Sequence, residues 1–505
     1  MTRRTLVTGL GVVAPTGLGV EEYWAATLAG RGAIRRVTRF DPSPYPSRLA
    51  GEISGFDAAA HLPGRLLPQT DRMTRLALVA ADWAFADAGV VPGELPEYDV
   101  GVITASHSGG FEFGQNELRA LWSKGGQHVS AYQSFAWFYA VNSGQISIRG
   151  GLRGPSSVVV SDQAGGLDAL AQARRQIRKG TPVVIAGAVD ASICPWGWVA
   201  QLTSGRLSTS DDPALAYLPF DDRAAGHVPG EGGALLVLES ADHARRRGAP
   251  RVYGEIAGHA ATVDPRPGTD RAPTLQHAIE LALADAGLEP ADIDVVFADA
   301  AAVPELDRSE AEAITKVFGV RAVPVTAPKT TTGRLYSGAA PLDLAAALLS
   351  IRDGVIPPTT GSVPSPAYDI DLVTGAPRPA PVRTALVLAR GHGGFNSALV
   401  VRAAASFTSA TKGPPPMSAT EFTLSDLRTI LLEAAGTDET VDLDGDILDL
   451  DFQDLGYESL ALLETAGRIE RTYGISLDEE ALADARTPRL LVDLVNAHLP
   501  AARAV

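Results

Sequence analysis

Two stretches of this 505-residue chain have residue types and spacing suited to covalent chemistry. The first is VVVSDQAGGLDAL, residues 158–170, where a β-branched run ends in a tight turn and small residues lead into a helix. Strand, sharp turn and helix N-terminus is how acyl-transfer enzymes expose a Cys or Ser nucleophile. At the apex stands Gln163, and an amide is not a nucleophile. The second stretch is DLGYESLALLE, residues 454–464, in which Ser459 follows an acidic loop and opens a Leu-rich helix. Serine is a favoured N-cap. The same position offers unpaired N–H groups and a positive dipole end to a phosphodiester-linked prosthetic group. The local sequence leaves both readings open.

Other reactive side chains are few. Cys194, in ASICPWGWV, sits well past the turn and reads as a small buried hydrophobe or, failing that, a substitute thiol. His392, in the glycine-rich GHGGFN, is either loop structure or a contact for an acyl substrate. No His, Cys, Asp and Glu spacing suits a metal, and GLGVVAPTG is not a dinucleotide fingerprint. A single cysteine excludes an internal disulfide and fits a reducing, cytoplasmic setting.

These residues need a scaffold, and the sequence repeats one. GGLDALAQARRQIRKGTPVVIAG (165–187) resembles APLDLAAALLSIRDGVIPPTTG (340–361), each running from Leu-Asp through an Ala-rich helix to Gly and an extended segment. Chance similarity among Ala-rich helices is the competing explanation. Apolar runs pair off as well: YDVGVITAS (98–106) with IDVVFADAA (293–301), and GGALLVLES (232–240) with RTALVLARG (383–391). Alternating apolar strands and Ala-rich helices imply a parallel or mixed sheet covered by helices and built twice. The boundaries expected are 1–250 and 251–405 for the two halves, a Pro/Ser/Thr-rich linker at 406–419 that contains Pro414–Pro416, and a small helical domain at 420–500. The apolar N-terminal run is short and glycine-broken, so it reads as a buried first strand rather than a signal peptide. No stretch is long enough for a membrane helix.

Charge separates the last domain from the rest. Residues 417–505 hold 19 Asp and Glu against six Arg and no Lys, which is −13 of the chain's net −16. Such acidity disfavours nucleic acid and anionic membrane and suits docking onto basic protein patches. Helical stripes are expected at Leu427, Ile430, Leu431 and Ala434, then at Leu460, Leu463, Ala466 and Ile469, with Pro488 in the first turn of a last helix.

DLGYESLALLE resembles the Asp-Ser-Leu signature of acyl carrier proteins, especially those of bacterial aromatic polyketide synthases, with Glu458 where that family usually has Asp. The resemblance implies 4′-phosphopantetheine on Ser459. Residues 1–405 resemble the β-ketoacyl synthase family of the thiolase fold. The motifs are RRTLVTGLGVVAPTGLG at the start, PFDDRAAGHVPGEGGALLVLE in mid-chain and GHGGFNSALVV near the end. That implies a thiolase-like α/β fold with two pseudo-repeated halves, layered α-β-α-β-α, followed by an all-α carrier bundle.

The family uses a Cys nucleophile and two histidines for decarboxylative condensation. Here those positions align with Gln163, Asp299 and Arg334, while Asp307, Glu310, Lys329 and Gly333 keep the flanking pattern. An aspartate repels an enolate and an arginine does not shuttle protons near neutral pH. Gln163 is expected to fill the vestigial pocket, its amide donating where an oxyanion would lie.

A Gln-bearing ketosynthase fold resembles the chain-length-factor subunit of type II polyketide synthases, which pairs with a catalytic ketosynthase alpha subunit and shapes the polyketide tunnel. The resemblance points to residues 105–122 as the pairing segment. Phe111, Gly114 and Leu118 on one helical face, with Trp196, are the candidate tunnel wall, against ordinary core packing. It also implies a malonyl acyltransferase, a phosphopantetheinyl transferase and polyketide-modifying enzymes as partners. The alternative reading is a Gln-type malonyl-carrier decarboxylase that makes the acetyl starter; a third is a scaffold that only presents the carrier.

Overall fold

The structure, a computed structural model, describes residues 3–266, 268–404, 422–435, 445, 447–455, 457, 462, 465–466, 468–470, 473, 475, 477, 482 and 485–499. It divides into two compact units, Met1–Phe407 and Thr408–Val505.

The first unit is one topology built twice. Strands β1 (Thr5–Ala14), β2 (Val100–Ala105), β3 (Ser156–Val159), β4 (Val183–Asp190) and β5 (Gly232–Ser240) form one half of a mixed sheet, in the order β1-β5-β4-β2-β3. Strands β6 (Gly254–Val263), β7 (Val295–Phe297), β8 (Pro324–Thr326), β9 (Thr384–Arg390) and β10 (Phe395–Arg402) form the other, in the order β6-β10-β9-β7-β8. Outward from β1 or from β6, successive pairings are antiparallel, antiparallel, parallel and parallel in both halves. The halves join where β1 meets β6, Leu6 opposite Glu255 and Val7 opposite Gly254. β1 is buried along its whole length.

The described helices that position the site and carrier are α1 (Arg72–Ala88), α2 (Phe111–Lys124), α3 (Val141–Gly150), α4 (Gly165–Lys179), α5 (Pro195–Leu202), α6 (Leu275–Ala286), α7 (Pro304–Phe318), α8 (Ala339–Asp353), α9 (Leu424–Ala435) and α10 (Pro488–His498). α4 and α8 lie between the two half-sheets, in a core with Leu10, Val184 and Leu236 from one and Val295, Val387 and Leu399 from the other. Every residue of α8 from Ala339 to Ser350 is buried, so it is covered all round rather than striped. α1 and α3 cover the outer face of the first half and α6 and α7 that of the second. The layers therefore run α-β-α-β-α. Gly166 lets the central helices meet: a Cβ there would lie 2.3 Å from Pro341 Cδ and from the Ser337 carbonyl oxygen.

The repeat read from the sequence holds for α4 with α8 and for β2 with β7. It slips at the third pairing. By position in the sheet β5 corresponds to β10, and the segment 383–391 corresponds to β4. Interior strands covered on both faces are uniformly apolar, so hydrophobicity alone does not distinguish neighbours.

In the second unit α9 and α10 share a core with Phe422, Phe452, Tyr457, Ala466 and Ile469, in which Leu427, Ile430 and Leu431 are buried as the stripe requires. Thr487 caps α10, accepting from the Leu490 N–H, with Pro488 in its first turn. Ser459, Leu460, Leu463, the Ala434 side chain and the linker prolines lie outside the described residues.

Candidate functional site: a closed polar trio beneath an arginine-edged cavity

The turn that carries Gln163 is a 3-10 turn, Asp162–Ala164, between β3 and α4. Asp162 has φ +53°, a conformation rare outside glycine that persists only where surrounding contacts enforce it. Those contacts are present. The Asp162 carboxylate accepts from the His392 N–H at 2.5 Å and faces His107 Nδ1 at 3.0 Å, and its carbonyl accepts from Ser337 Oγ at 2.9 Å. Gly391 permits the approach, since a Cβ there would stand 2.8 Å from the Ser161 carbonyl oxygen. The second half repeats the device before α8: Tyr336 opens the turn Tyr336–Gly338 with φ +52° and stacks on His107, ring centroids 4.4 Å apart.

Gln163, Asp299 and Arg334, far apart in sequence, meet in one buried cluster. Arg334 Nη2 donates to Asp299 Oδ1 at 3.0 Å and Oδ2 at 3.1 Å, and Nη1 donates to the Asp299 carbonyl at 2.8 Å. The Gln163 amide oxygen, turned toward the guanidinium as the donors around it require, accepts from Nε at 2.5 Å and Nη2 at 3.1 Å. The expectation of Gln163 as a donor is corrected to this extent: its oxygen serves Arg334 as acceptor. Asp299 is likewise no bare repulsive charge, because the guanidinium neutralises it. Burial alone would raise the Asp299 pKa, but Arg334 and then Lys329 more than offset this and hold it low. The Arg390 N–H donates to the same carboxylate at 2.9 Å.

The retained flanking residues are structural. The Glu310 carboxylate accepts from the Asp299 and Ala300 N–H groups at 2.7 and 2.9 Å, and Asp307 accepts from the Phe220 N–H at 2.8 Å. Lys329 Nζ donates to the Ala298 carbonyl at 2.7 Å and pairs with Asp343 at 2.6 Å.

Above the trio opens a cavity of 640 Å³ whose lining includes His107, Gln163, His227, Arg334 and His392, so His392 is both loop and cavity wall. Burial, with Arg334 adding to it, pushes the His227 pKa down to about 3, which leaves its ring neutral. His107 is opposed by burial but raised by Asp162, against which it is held. The trio itself contains no nucleophile and no group that exchanges protons near neutral pH. Cys194 is buried at the start of α5, and burial raises its thiol to about 11, so it is protonated and inert.

The tunnel candidates form a separate place. Phe111 stacks on Trp196, centroids 4.6 Å apart, and a Cβ on Gly114 would meet Trp196 at 3.1 Å and Trp137 at 3.4 Å. Leu118, on the same helix, is exposed instead. None of the four lines the cavity at Gln163. They border a surface with Trp122, Tyr132, Trp137, Phe138 and Tyr139 exposed, Trp122 at 84%. Sequence reading missed this patch because residues 132–139 carry no regular apolar period; the density of aromatics was the available signal.

Residues 2–244 match the family described as beta-ketoacyl synthase, N-terminal domain, residues 253–362 its C-terminal domain, and residues 425–495 the phosphopantetheine attachment site family. The tetracenomycin polyketide synthase ketoacyl synthase beta subunit of Streptomyces glaucescens is 65% identical over 399 residues, 79% of this chain and 98% of that protein. The chain belongs to the beta-ketoacyl synthase family, among its type II polyketide synthase beta subunits.

Another member of this family, the actinorhodin polyketide putative beta-ketoacyl synthase 2 of Streptomyces coelicolor, is 62% identical over 398 residues, again 79% of this chain and 98% of that protein. Among solved structures, the ishigamide ketosynthase/chain length factor is similar at 28% identity and TM-score 0.74, covering 80% of this chain and 100% of that one. A type II acyl-carrier protein in complex with its ketosynthase bound to the hexaketide is similar at 28% identity and TM-score 0.72, with the same coverage. The fold is therefore the thiolase-like ketosynthase fold, here followed by a phosphopantetheine carrier domain. Among the described residues no helix is long and apolar enough to cross a membrane, and no group of side chains could hold a metal.

Proposed function

We propose that this ketosynthase beta chain is the chain-length-factor half of a heterodimeric synthase and does not itself form carbon–carbon bonds. The observation that carries the reading is the closed Gln163–Arg334–Asp299 trio. Where condensation needs an acylated thiol and two imidazoles, the Arg334 guanidinium here is engaged by the Asp299 carboxylate and the Gln163 amide oxygen. The condensing Cys and its histidines then belong to a partner ketosynthase alpha subunit, docked on the aromatic surface around α2. Phe111, Gly114 and Trp196 become a wall of the growing chain's tunnel at that junction, where added bulk stops extension early.

Ser459 is the proposed attachment point of 4′-phosphopantetheine, installed by a phosphopantetheinyl transferase. The folded core of the second unit around Phe422, Leu431 and Val495 suits a carrier domain, and a serine hydroxyl is the acceptor chemistry such a group requires. When attached, the group supplies a thiol on a flexible arm.

The test supplies malonyl-loaded carrier to the purified chain with and without a ketosynthase alpha partner, following CO2 and polyketide by mass spectrometry. Product only with the partner is expected. Carbon dioxide release by the chain alone would restore the decarboxylase reading and sink this one.

A further inference from the structure

We propose that Asp71 and Gln115 are positioning residues for product length. Each lends a hydrogen-bond acceptor to the first turn of a neighbouring helix, and together they fix the gap between Gly114 and Trp196. The proposal rests on the reading of Phe111, Gly114 and Trp196 as a tunnel wall. A Cβ on Gly114 would stand 3.1 Å from the Trp196 ring, tighter than an ordinary van der Waals contact. Small displacements of either element therefore change what the wall admits.

The first turn of a helix leaves N–H groups that a Ser, Thr, Asp or Asn side chain at the N-cap ordinarily accepts. α2 starts after Gly110, where a Cβ would lie 2.2 Å from the Ala136 carbonyl oxygen, so no side chain fits there. The acceptor comes instead from Asp71, buried at the head of α1. One of its carboxylate oxygens accepts from the Met73 N–H of its own helix at 2.7 Å. The other accepts from the Phe113 N–H of α2 at 2.8 Å. α5 opens on Pro195 after Cys194, whose thiol, 3.5 Å from the Gly197 N–H, is a weak acceptor. The Trp196 N–H is taken by Gln115 Oε1 of α2 at 2.7 Å.

The caps therefore act in series. α1 packs Met73, Leu76 and Ala80 into the core shared with Val102, Ile185 and Val237 of the sheet, which makes it the fixed reference. Asp71 sets α2 against α1, and Gln115 sets the start of α5 against α2. Phe113 lies between Phe111 and Gly114 in the chain, and Gln115 follows Gly114, so both bonds act within one turn of the wall. Arg39 braces the same pair from outside, with Nη2 on the Glu112 carboxylate at 2.5 Å and Nε on the Ile193 carbonyl at 3.2 Å.

The experiment uses the full chain with a ketosynthase alpha partner and malonyl-loaded carrier. It is run at about pH 8, above the value of about 7 to which burial raises the Asp71 carboxyl, so that both oxygens accept. Products are sized by mass spectrometry. Trp196 is followed by fluorine NMR of chain labelled with fluorotryptophan, its line assigned by Trp196→Phe. Gln115→Leu keeps the side chain's bulk and removes its acceptor; the share of the principal product should fall about twofold or more, with malonyl consumption changed less. Gln115→Glu retains the oxygen and should restore both the product share and the Trp196 line. Asp71→Ser keeps a hydroxyl for α1 but is a bond too short for Phe113, and should act as Gln115→Leu does. Asp57→Ala, which uncaps the separate turn Ala58–Ala60, should move neither readout. Thermal melts report whether each variant is folded. A Trp196 line unmoved in folded Gln115→Leu and Asp71→Ser would overturn the proposal. So would a moved line with unchanged product length, or Gln115→Glu behaving as Gln115→Leu. Gly114→Ala in the same assay tests the wall itself. A shorter product there, with none lost from Gln115→Leu, sinks the positioning roles and leaves the tunnel reading intact. Unchanged length in Gly114→Ala, with the Trp196 line still dependent on Gln115, sinks the tunnel reading and with it any role in product length.

Discussion

The two halves of the first unit share a strand order, a pairing pattern and a strained turn before each central helix, yet they are put to different uses. In the second half the connection from β7 to β8 spans residues 298–323 and holds α7, packed onto the sheet. In the first half the corresponding connection from β2 to β3 spans residues 106–155 and holds α2, α3 and the exposed aromatics from Trp122 to Tyr139. The first half therefore carries an outward surface that the second lacks. The site is shared in the opposite sense, since Gln163 comes from the first half and Asp299 and Arg334 from the second. A duplicated fold thus keeps its shared site polar and internal while one copy carries an exposed aromatic face.

The largest expected effect is at that site. Arg334→Met leaves Asp299 buried and unpaired, and should destabilise the first unit by roughly 3–5 kcal/mol in urea unfolding; adding Asp299→Leu should restore much of it. Equal loss in the single and double variants would mean that an unpaired Asp299 is not the source of the loss.

The next effect separates the halves by acid. Glu239 on β5 is fully buried and accepts from Thr8, His243 and Arg247, which outweigh burial and hold its pKa at about 2 against an ordinary 4.5. A depressed carboxylate stabilises the fold above its unfolded value and loses that contribution as pH falls through the folded one. Stability should decline between about pH 4.5 and 2, by up to roughly 3 kcal/mol from this group. Glu255 on β6 is also lowered, against burial, by Arg402 and Arg4, but those arginines are 38% exposed. Glu239→Gln should therefore flatten the acid limb of stability more than Glu255→Gln, as measured by thermal melts across pH.

A smaller effect tests the outward face. Trp122→Ser should leave the melting temperature unchanged while weakening capture of a ketosynthase partner about tenfold or more, the scale of a buried aromatic anchor. Surface plasmon resonance reads it, and unchanged affinity would move the interface elsewhere. Gly114→Ala, which places a methyl 3.1 Å from the Trp196 ring, should shift products toward shorter chains with little effect on the fold.

Much of this was legible in the sequence, for reasons visible in particular residues. Gln163, Asp299 and Arg334 stood out because the resemblance aligned each with a position where a catalytic Cys or His was expected. Their closure into one trio did not, because three separate substitutions carry no sign of mutual distance. Positive φ at Asp162 and Tyr336 is invisible in residues that rarely adopt it. The cavity draws its lining from residues 107 to 396, and no local pattern spans that range. Interior strands β4, β5, β9 and β10 read alike, which is why one repeat pairing slipped by a strand.

On the proposed function, acyl groups are never attached to the first unit of this polypeptide. This is tested most directly by trapping a synthase of this chain and a ketosynthase alpha partner during turnover and mapping every acylated peptide by mass spectrometry. Adducts are expected on the partner's nucleophile and on the Ser459 peptide, with none in residues 1–404. An acyl adduct anywhere in residues 1–404 would contradict the proposed function.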